Sequence, residues 1–194
     1  MGSKEEVRSV ILISRDRELK DVRSVALDES SRTSVALVKI IFAEFLNAEP
    51  TWSTQSPNLD QMLEQNHAAL MIGDPAMVLR REGLRVWDLA RLWRSYTGFG
   101  FVFAMWAVRN DARSRARQIS FADARDEGLS HTEDIVEQYH ETLGIDRESL
   151  RQYLEQNISF TIDEPLRSGL DLYFKLAHKH ALLREVKPLK TVEP

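Results

Sequence analysis

Residues 28–39 read DESSRTSVALVK, setting four hydroxyl side chains and one arginine between an apolar strand-like run and an apolar helix-like run. Two chemistries fit that composition. A helix that starts at the carboxyl end of a strand offers free N–H groups and a partial positive charge, so it attracts anions. Ligands of open α/β sheets gather at that same edge. Ser30, Ser31, Thr33 and Ser34 would add hydroxyl donors, and the Arg32 guanidinium can grip a carboxylate through two parallel bonds. The plainer job is helix capping by Ser30 or Ser31, worth about 1 kcal/mol and needing only one hydroxyl. On the residues alone both readings stand.

Other stretches carry weaker signals. In IGDPAM, Asp74 is read as the N-cap of a helix with Pro75 at its first position; it could also accept a hydrogen bond from a ligand hydroxyl. TGFGF, residues 97–101, sets Gly98 and Gly100 ahead of the most apolar run, where either a turn or a close approach of backbone to ligand would use them. The histidines at 67, 131, 140, 178 and 180 show no metal-ligand spacing, so no metal is expected. RNDARSRARQ carries Arg109, Arg113, Arg115 and Arg117 without interleaved aromatics and reads as a solvated helix face. There is no GxSxG, phosphate-binding loop or dinucleotide fingerprint, so no cofactor is expected.

The elements that must position these residues follow from periodicity. Residues 7–14, 23–28, 51–55, 67–73 and 84–87 read as short strands, and residues 34–46 as a helix too apolar to lie on a surface. Asn58 caps a helix carrying Leu59, Met62 and Leu63 inward; a later one turns Leu89, Leu92, Trp93 and Tyr96 inward. FVFAMWAV, residues 101–108, is expected to be a central strand buried on both faces. Beyond residue 111 only helices are expected, over 112–127, 132–144, 146–157 and 163–183, with a loose tail over 186–194. An α/β lobe followed by a helical portion results.

Composition bounds the rest. The 194 residues suffice for one domain or two small lobes, with 43% hydrophobic and 29% charged residues, as in globular proteins. A net charge of -4 gives no general pull toward nucleic acid or an acidic membrane, so neither is an expected partner. Without cysteine there are no disulfides or thiolate sites, which fits a reducing compartment, and the cytoplasm is the expected location.

Four stretches taken in order, VRSVILIS, SSRTSVALVKI, AALMIGDPAM and DLARLWRSYTGFGFVFAMWAVR, resemble the chorismate dehydratases of the futalosine route to menaquinone. The resemblance covers residues 7–109 well and the helical remainder loosely. It implies a fold like the type 2 periplasmic binding proteins, two α/β lobes with the ligand between them. Residues 12–100 would form the second lobe. Residues 1–11 and 101–194 would supply crossing strands and the helical part of a first lobe, which is incomplete because the family's early strand-helix portion has no counterpart here. The implied reaction is loss of water from chorismate to give 3-[(1-carboxyvinyl)oxy]benzoate, so the implied partner is a small substrate with carboxylates. By resemblance Ser9 contacts that substrate and is the candidate catalytic residue; Ser31, Arg32, Thr33 and Ser34 form its anion-binding turn, and Asp74, Thr97 and Gly98 face the cleft. No general base stands out, and a substrate carboxylate is the proposed proton acceptor. Two alternatives share the fold: a cytoplasmic binding protein for a small carboxylate without chemistry, and the sister enzyme acting on a cyclic futalosine derivative.

Overall fold

The computed structural model describes residues 1–190. Its centre is a mixed five-stranded sheet built from β2 (Val10–Ser14), β3 (Ser24–Asp28), β4 (Thr51–Gln55), β5 (Ala68–Ile72) and β6 (Arg85–Asp88), in the order β4-β3-β5-β2-β6. β3 runs parallel to β4 and β5, and β2 runs antiparallel to β5 and β6. A separate two-stranded pair joins β1 (Gly2–Ser3) to β7 (Phe101–Val102).

Side chains alternate across the central sheet as a two-residue period requires. Val10 and Leu12 join one core with Val25, Leu27 and Leu70, while Ile11 and Ile13 join another with Ala26, Ala69 and Met71. The larger core is covered by α1 (Thr33–Ile40), α4 (Leu89–Thr97) and α9 (Glu164–Lys179). α1 continues as a π-helical turn over Ile41–Phe45, so the apolar run predicted over 34–46 is helical as far as Phe45 and packs against α4 and α9. The smaller core is covered by α2 (Leu59–Gln65) and the short α3 (Asp74–Met77). Asn58 caps α2 by accepting from the Gln61 N–H, as its position predicts.

α9 is fastened by aromatic and glycine contacts. Tyr173 stands edge-on to Trp93 and Phe101, and its hydroxyl donates to the Thr33 carbonyl at 3.4 Å; burial pushes this phenol up to about 12. A Cβ on Gly169 would lie 2.1 Å from the Gly100 carbonyl oxygen, so helix and chain meet backbone to backbone.

Four expectations about the elements change. The strand predicted over 7–14 starts at Val10, because residues 7–9 form a turn with Arg8 at φ 61°. FVFAMWAV is not a central strand: β7 stops at Val102, and Trp106 is 77% exposed. A central strand needs partners on both edges, and among the described residues only β1 pairs with it. The helix predicted over 112–127 is two pieces, α5 (Arg113–Ala116) and α6 (Phe121–Ser130), the second capped by Ser120. Tyr96 is 39% exposed, stacked on Phe45 from outside rather than buried. α7 (Thr132–Leu143) and α8 (Arg147–Gln152) follow the predicted pattern, with Gly144 ending one and Asp146 capping the other. Of the predicted tail, residues 191–194 lie outside the described residues.

Candidate functional site

The register of the sheet decides where the chemistry collects. β3, β4 and β5 are parallel, so Asp28, Gln55 and Ile72 end at one edge. β2 runs the other way with Val10 opposite Ile72, which brings its entry, and therefore Ser9, to the same edge. Asp88 lies opposite Ile11, so the end of β6 arrives there too. Four strands thus deliver Ser9, Asp28, Gly73, Asp74 and Asp88 to one rim from distant parts of the sequence.

Ser9 sits in a tight, strained turn. Arg8 has φ of 61°, a left-handed conformation unfavourable for any side chain with a Cβ. The Ser9 N–H donates to the Val7 carbonyl at 2.7 Å, and the Ser9 carbonyl accepts from the Gly73 N–H at 2.7 Å. Asp88 holds the turn: its carboxylate accepts from the N–H groups of Val7 at 3.0 Å and Arg8 at 2.6 Å, while its other oxygen caps α4 through the Arg91 N–H at 3.0 Å. Burial raises the Asp88 carboxyl above its ordinary value despite these three bonds. The Ser9 hydroxyl, 6% exposed as a residue, accepts from the Tyr153 hydroxyl at 2.9 Å. Burial raises that phenol also, so it stays protonated and keeps a proton to offer Ser9. The Arg8 guanidinium reaches the Ser149 carbonyl at 3.4 Å, tying the turn to α8.

The hydroxyl-rich turn joins the rim at the end of β3. Asp28 is buried and accepts from both the N–H and the hydroxyl of Ser30, at 2.9 and 2.6 Å. Ser31 accepts from the Ser34 N–H at 3.2 Å, so its hydroxyl satisfies a helix donor as a cap does, from one place ahead of the N-cap position, which Arg32 occupies without a side-chain bond. Arg32 is exposed, Thr33 half-buried and Ser34 buried. The N–H groups of Arg32, Thr33 and Val35 find no acceptor among the described residues, which leaves three donors at this helix start, the first two at its tip.

Asp74 is on the rim but one place further into its helix than expected. Gly73 is the N-cap of α3, with φ 67° and ψ -149°, a backbone reserved for glycine; Asp74 follows as the first helical residue, exposed and without a capping bond. Its charge reaches Tyr153. Thr97 and Gly98 are placed differently. The Thr97 hydroxyl donates to the Trp93 carbonyl and accepts from the Phe99 N–H, and Gly98 at φ 77° ends α4 in the left-handed conformation. Both are committed to stopping that helix.

Three residues of this arrangement carry no sequence mark that singled them out. Asp88 precedes an apolar helix and is readable as its N-cap, but its second task across 80 residues is not. Arg8 lies within VRSV, and Tyr153 lies in a helix that periodicity predicts without hinting at its reach. Among the described residues no three His, Asp or Glu side chains converge as a metal site, and no helix is long and apolar enough to cross a membrane. A cleft of about 330 Å³ lined by Arg15, Arg17, Asn66 and His67 lies at the opposite edge of the sheet. Another of about 620 Å³ lies between Trp106, Ile119, Phe121, Phe160 and Ile162. Neither contains a predicted site residue.

Among known proteins, the chain is 31% identical over 173 residues to the chorismate dehydratase of Thermus thermophilus; the match takes in 80% of this chain and 63% of that protein, less than two thirds of its length. The crystal structure of protein AF1704 from Archaeoglobus fulgidus shares the fold with a TM-score of 0.59 at 16% identity, over 94% of this chain and 71% of that one. Residues 1–179 match the menaquinone biosynthesis family, and the chain belongs to that family.

Proposed function

We propose that this chain binds chorismate through its carboxylates and removes water from it to give 3-[(1-carboxyvinyl)oxy]benzoate. The observation that carries the reading is the 31% identity to a protein named chorismate dehydratase. In the reaction a ring C–H bond gives up its proton, the C–O bond to the neighbouring hydroxyl breaks, and the released electrons complete the aromatic ring. Proton and hydroxide leave as water. Aromatisation supplies the driving force, so the protein's work is to hold two carboxylates and the departing hydroxyl in register. The residue types on the rim suit that work. Ser9 would contact the substrate and steady the departing group, as the candidate catalytic residue. Ser31, Arg32, Thr33 and Ser34 would hold a carboxylate through the open N–H groups of Arg32 and Thr33 and the Arg32 guanidinium. Asp74 would accept from a substrate hydroxyl, and Thr97 and Gly98 would act indirectly by shaping the end of α4. A substrate carboxylate would take the ring proton.

The reading includes residues 12–100 as the second α/β lobe of a two-lobed periplasmic-binding-protein-like fold with the ligand between the lobes, acting in the futalosine route in the cytoplasm. Its test is to incubate the chain with chorismate and follow loss of diene absorbance together with appearance of the aromatic product. Conversion that falls sharply in Ser9→Ala is the expected result. Binding without conversion would replace this reading with a carboxylate-binding protein, and turnover of a cyclic futalosine derivative instead would replace it with the sister enzyme.

A further inference from the structure

A π-helical turn over Tyr153–Asn157 follows α8, closed by the Ile158 N–H bonding to the Tyr153 carbonyl. Such turns within helices are rare and recur at functional sites. Both ends of this one point at the same short stretch. Tyr153 donates its hydroxyl to Ser9 at 2.9 Å, and buried Asn157 donates its amide to the Glu6 carbonyl at 3.3 Å. Glu6–Ser9 is therefore clamped by the π turn as well as by Asp88.

The consequence concerns a single proton. A serine hydroxyl has one donor and two acceptor positions. With Tyr153 as the donor, one acceptor position is filled, the Ser9 hydrogen turns away from the phenol, and it meets no other acceptor among the described residues. We infer that Tyr153 is a positioning residue, turning the Ser9 hydroxyl so that its proton is offered to a carboxylate or departing hydroxyl at the rim. This rests on the reading that Ser9 faces the ligand.

Because the chain has no cysteine, Ser9→Cys installs its one thiol at this position. The thiolate can then be titrated by its ultraviolet absorbance, in the presence of Tyr153 and in Tyr153→Phe, with the Ser9 parents subtracted. Phenylalanine keeps the ring and its burial, and the charges of Arg8 and Asp74 act equally on both proteins. A donated hydrogen bond stabilises the thiolate, so Tyr153→Phe should raise the midpoint by about one unit. An unchanged midpoint overturns the inference. Protection of the introduced thiol from alkylation by chorismate reads the ligand assignment separately, so a midpoint that moves without protection supports the clamp while counting against chorismate. In turnover, Tyr153→Phe should lower the rate about tenfold with Ser9 present and have no further effect in Ser9→Ala. Equal losses in both backgrounds would show that Tyr153 does not act through Ser9.

Discussion

Asp88 joins the sheet, α4 and the turn before Ser9 through one carboxylate, and replacing it tests whether that junction is built as described. In Asp88→Ala the α4 cap disappears, costing about 1 kcal/mol. The N–H groups of Val7 and Arg8 lose a charged acceptor; each such bond is worth about 1.5–3 kcal/mol. Two factors reduce the sum. Arg8 is half-buried, so water can replace part of its bond. Burial also penalises the ionised Asp88, as its raised pKa records. A net loss of about 3 kcal/mol follows, a large part of the roughly 5–15 kcal/mol typical of a domain.

Urea unfolding followed by the fluorescence of the tryptophans, with Trp93 fully buried, measures it. With a slope of about 2 kcal/mol per molar urea, the midpoint should fall by about 1.5 M. Asp88→Asn keeps one acceptor oxygen and should fall about half as far. The pH dependence has a definite sign. Since the folded Asp88 pKa lies above its ordinary 3.8, the fold takes up this proton more readily than the unfolded chain. The gap between wild type and Asp88→Asn should therefore widen as pH falls from the raised value toward 3.8. A midpoint shift under about 0.5 M for Asp88→Ala would refute the junction, because even the cap alone accounts for that much.

Three further perturbations follow from the same structure. Gly169→Ala drives a Cβ to 2.1 Å from the Gly100 carbonyl, so α9 must move and stability should drop by about 3 kcal/mol or more, read by urea unfolding. Glu44 is held below its ordinary 4.5, first by the Lys179 hydrogen bond and then by His180; it stabilises the fold above 4.5 and loses that effect as pH falls through its folded value. Thermal midpoints of wild type and Glu44→Gln should accordingly differ at neutral pH and converge in acid, and a constant difference would count against the pairing. Ser31→Ala should cost about 1 kcal/mol in thermal unfolding by loss of the cap, and weaken chorismate binding in calorimetry if the same turn holds a carboxylate.

The strands of the central sheet were legible because each carries its own evidence. TWSTQ is rich in strand formers and AALMI is a short apolar run bounded by breakers, and the structure begins and ends them within a residue of the expected limits. FVFAMWAV failed for a reason that lies outside its own residues. Its composition specifies an appetite for burial, and that appetite is met by a strand only where other strands supply hydrogen bonds on both sides. Among the described residues β1 offers two positions of pairing, so β7 has two residues and the apolar run beyond it emerges into the surface. The break after Arg117 and the outward face of Tyr96 have the same origin, since period alone does not say which neighbours exist.

For the site, legibility divided by the range of the interaction. The SSRTS turn and the Asn58 and Asp146 caps are local, each a side chain answering an N–H three residues away, and short patterns predict such bonds well. Ser9 entered through resemblance, and nothing near it in sequence explains its setting. Its carbonyl is fixed by Gly73, its preceding turn by Asp88 and its hydroxyl by Tyr153, partners 64, 80 and 144 residues away. Only the antiparallel register of β2 against β5 and β6 makes those distances short. A one-residue slip of β2 would turn Ile11 and Ile13 into the wrong core and carry Ser9 off the rim. The two buried faces of the sheet therefore specify the position of Ser9 more strongly than any residue beside it. On that argument Ile11→Val or Ile13→Val should lower stability while leaving the Ser9–Tyr153 bond intact, because the register survives as long as both faces stay apolar.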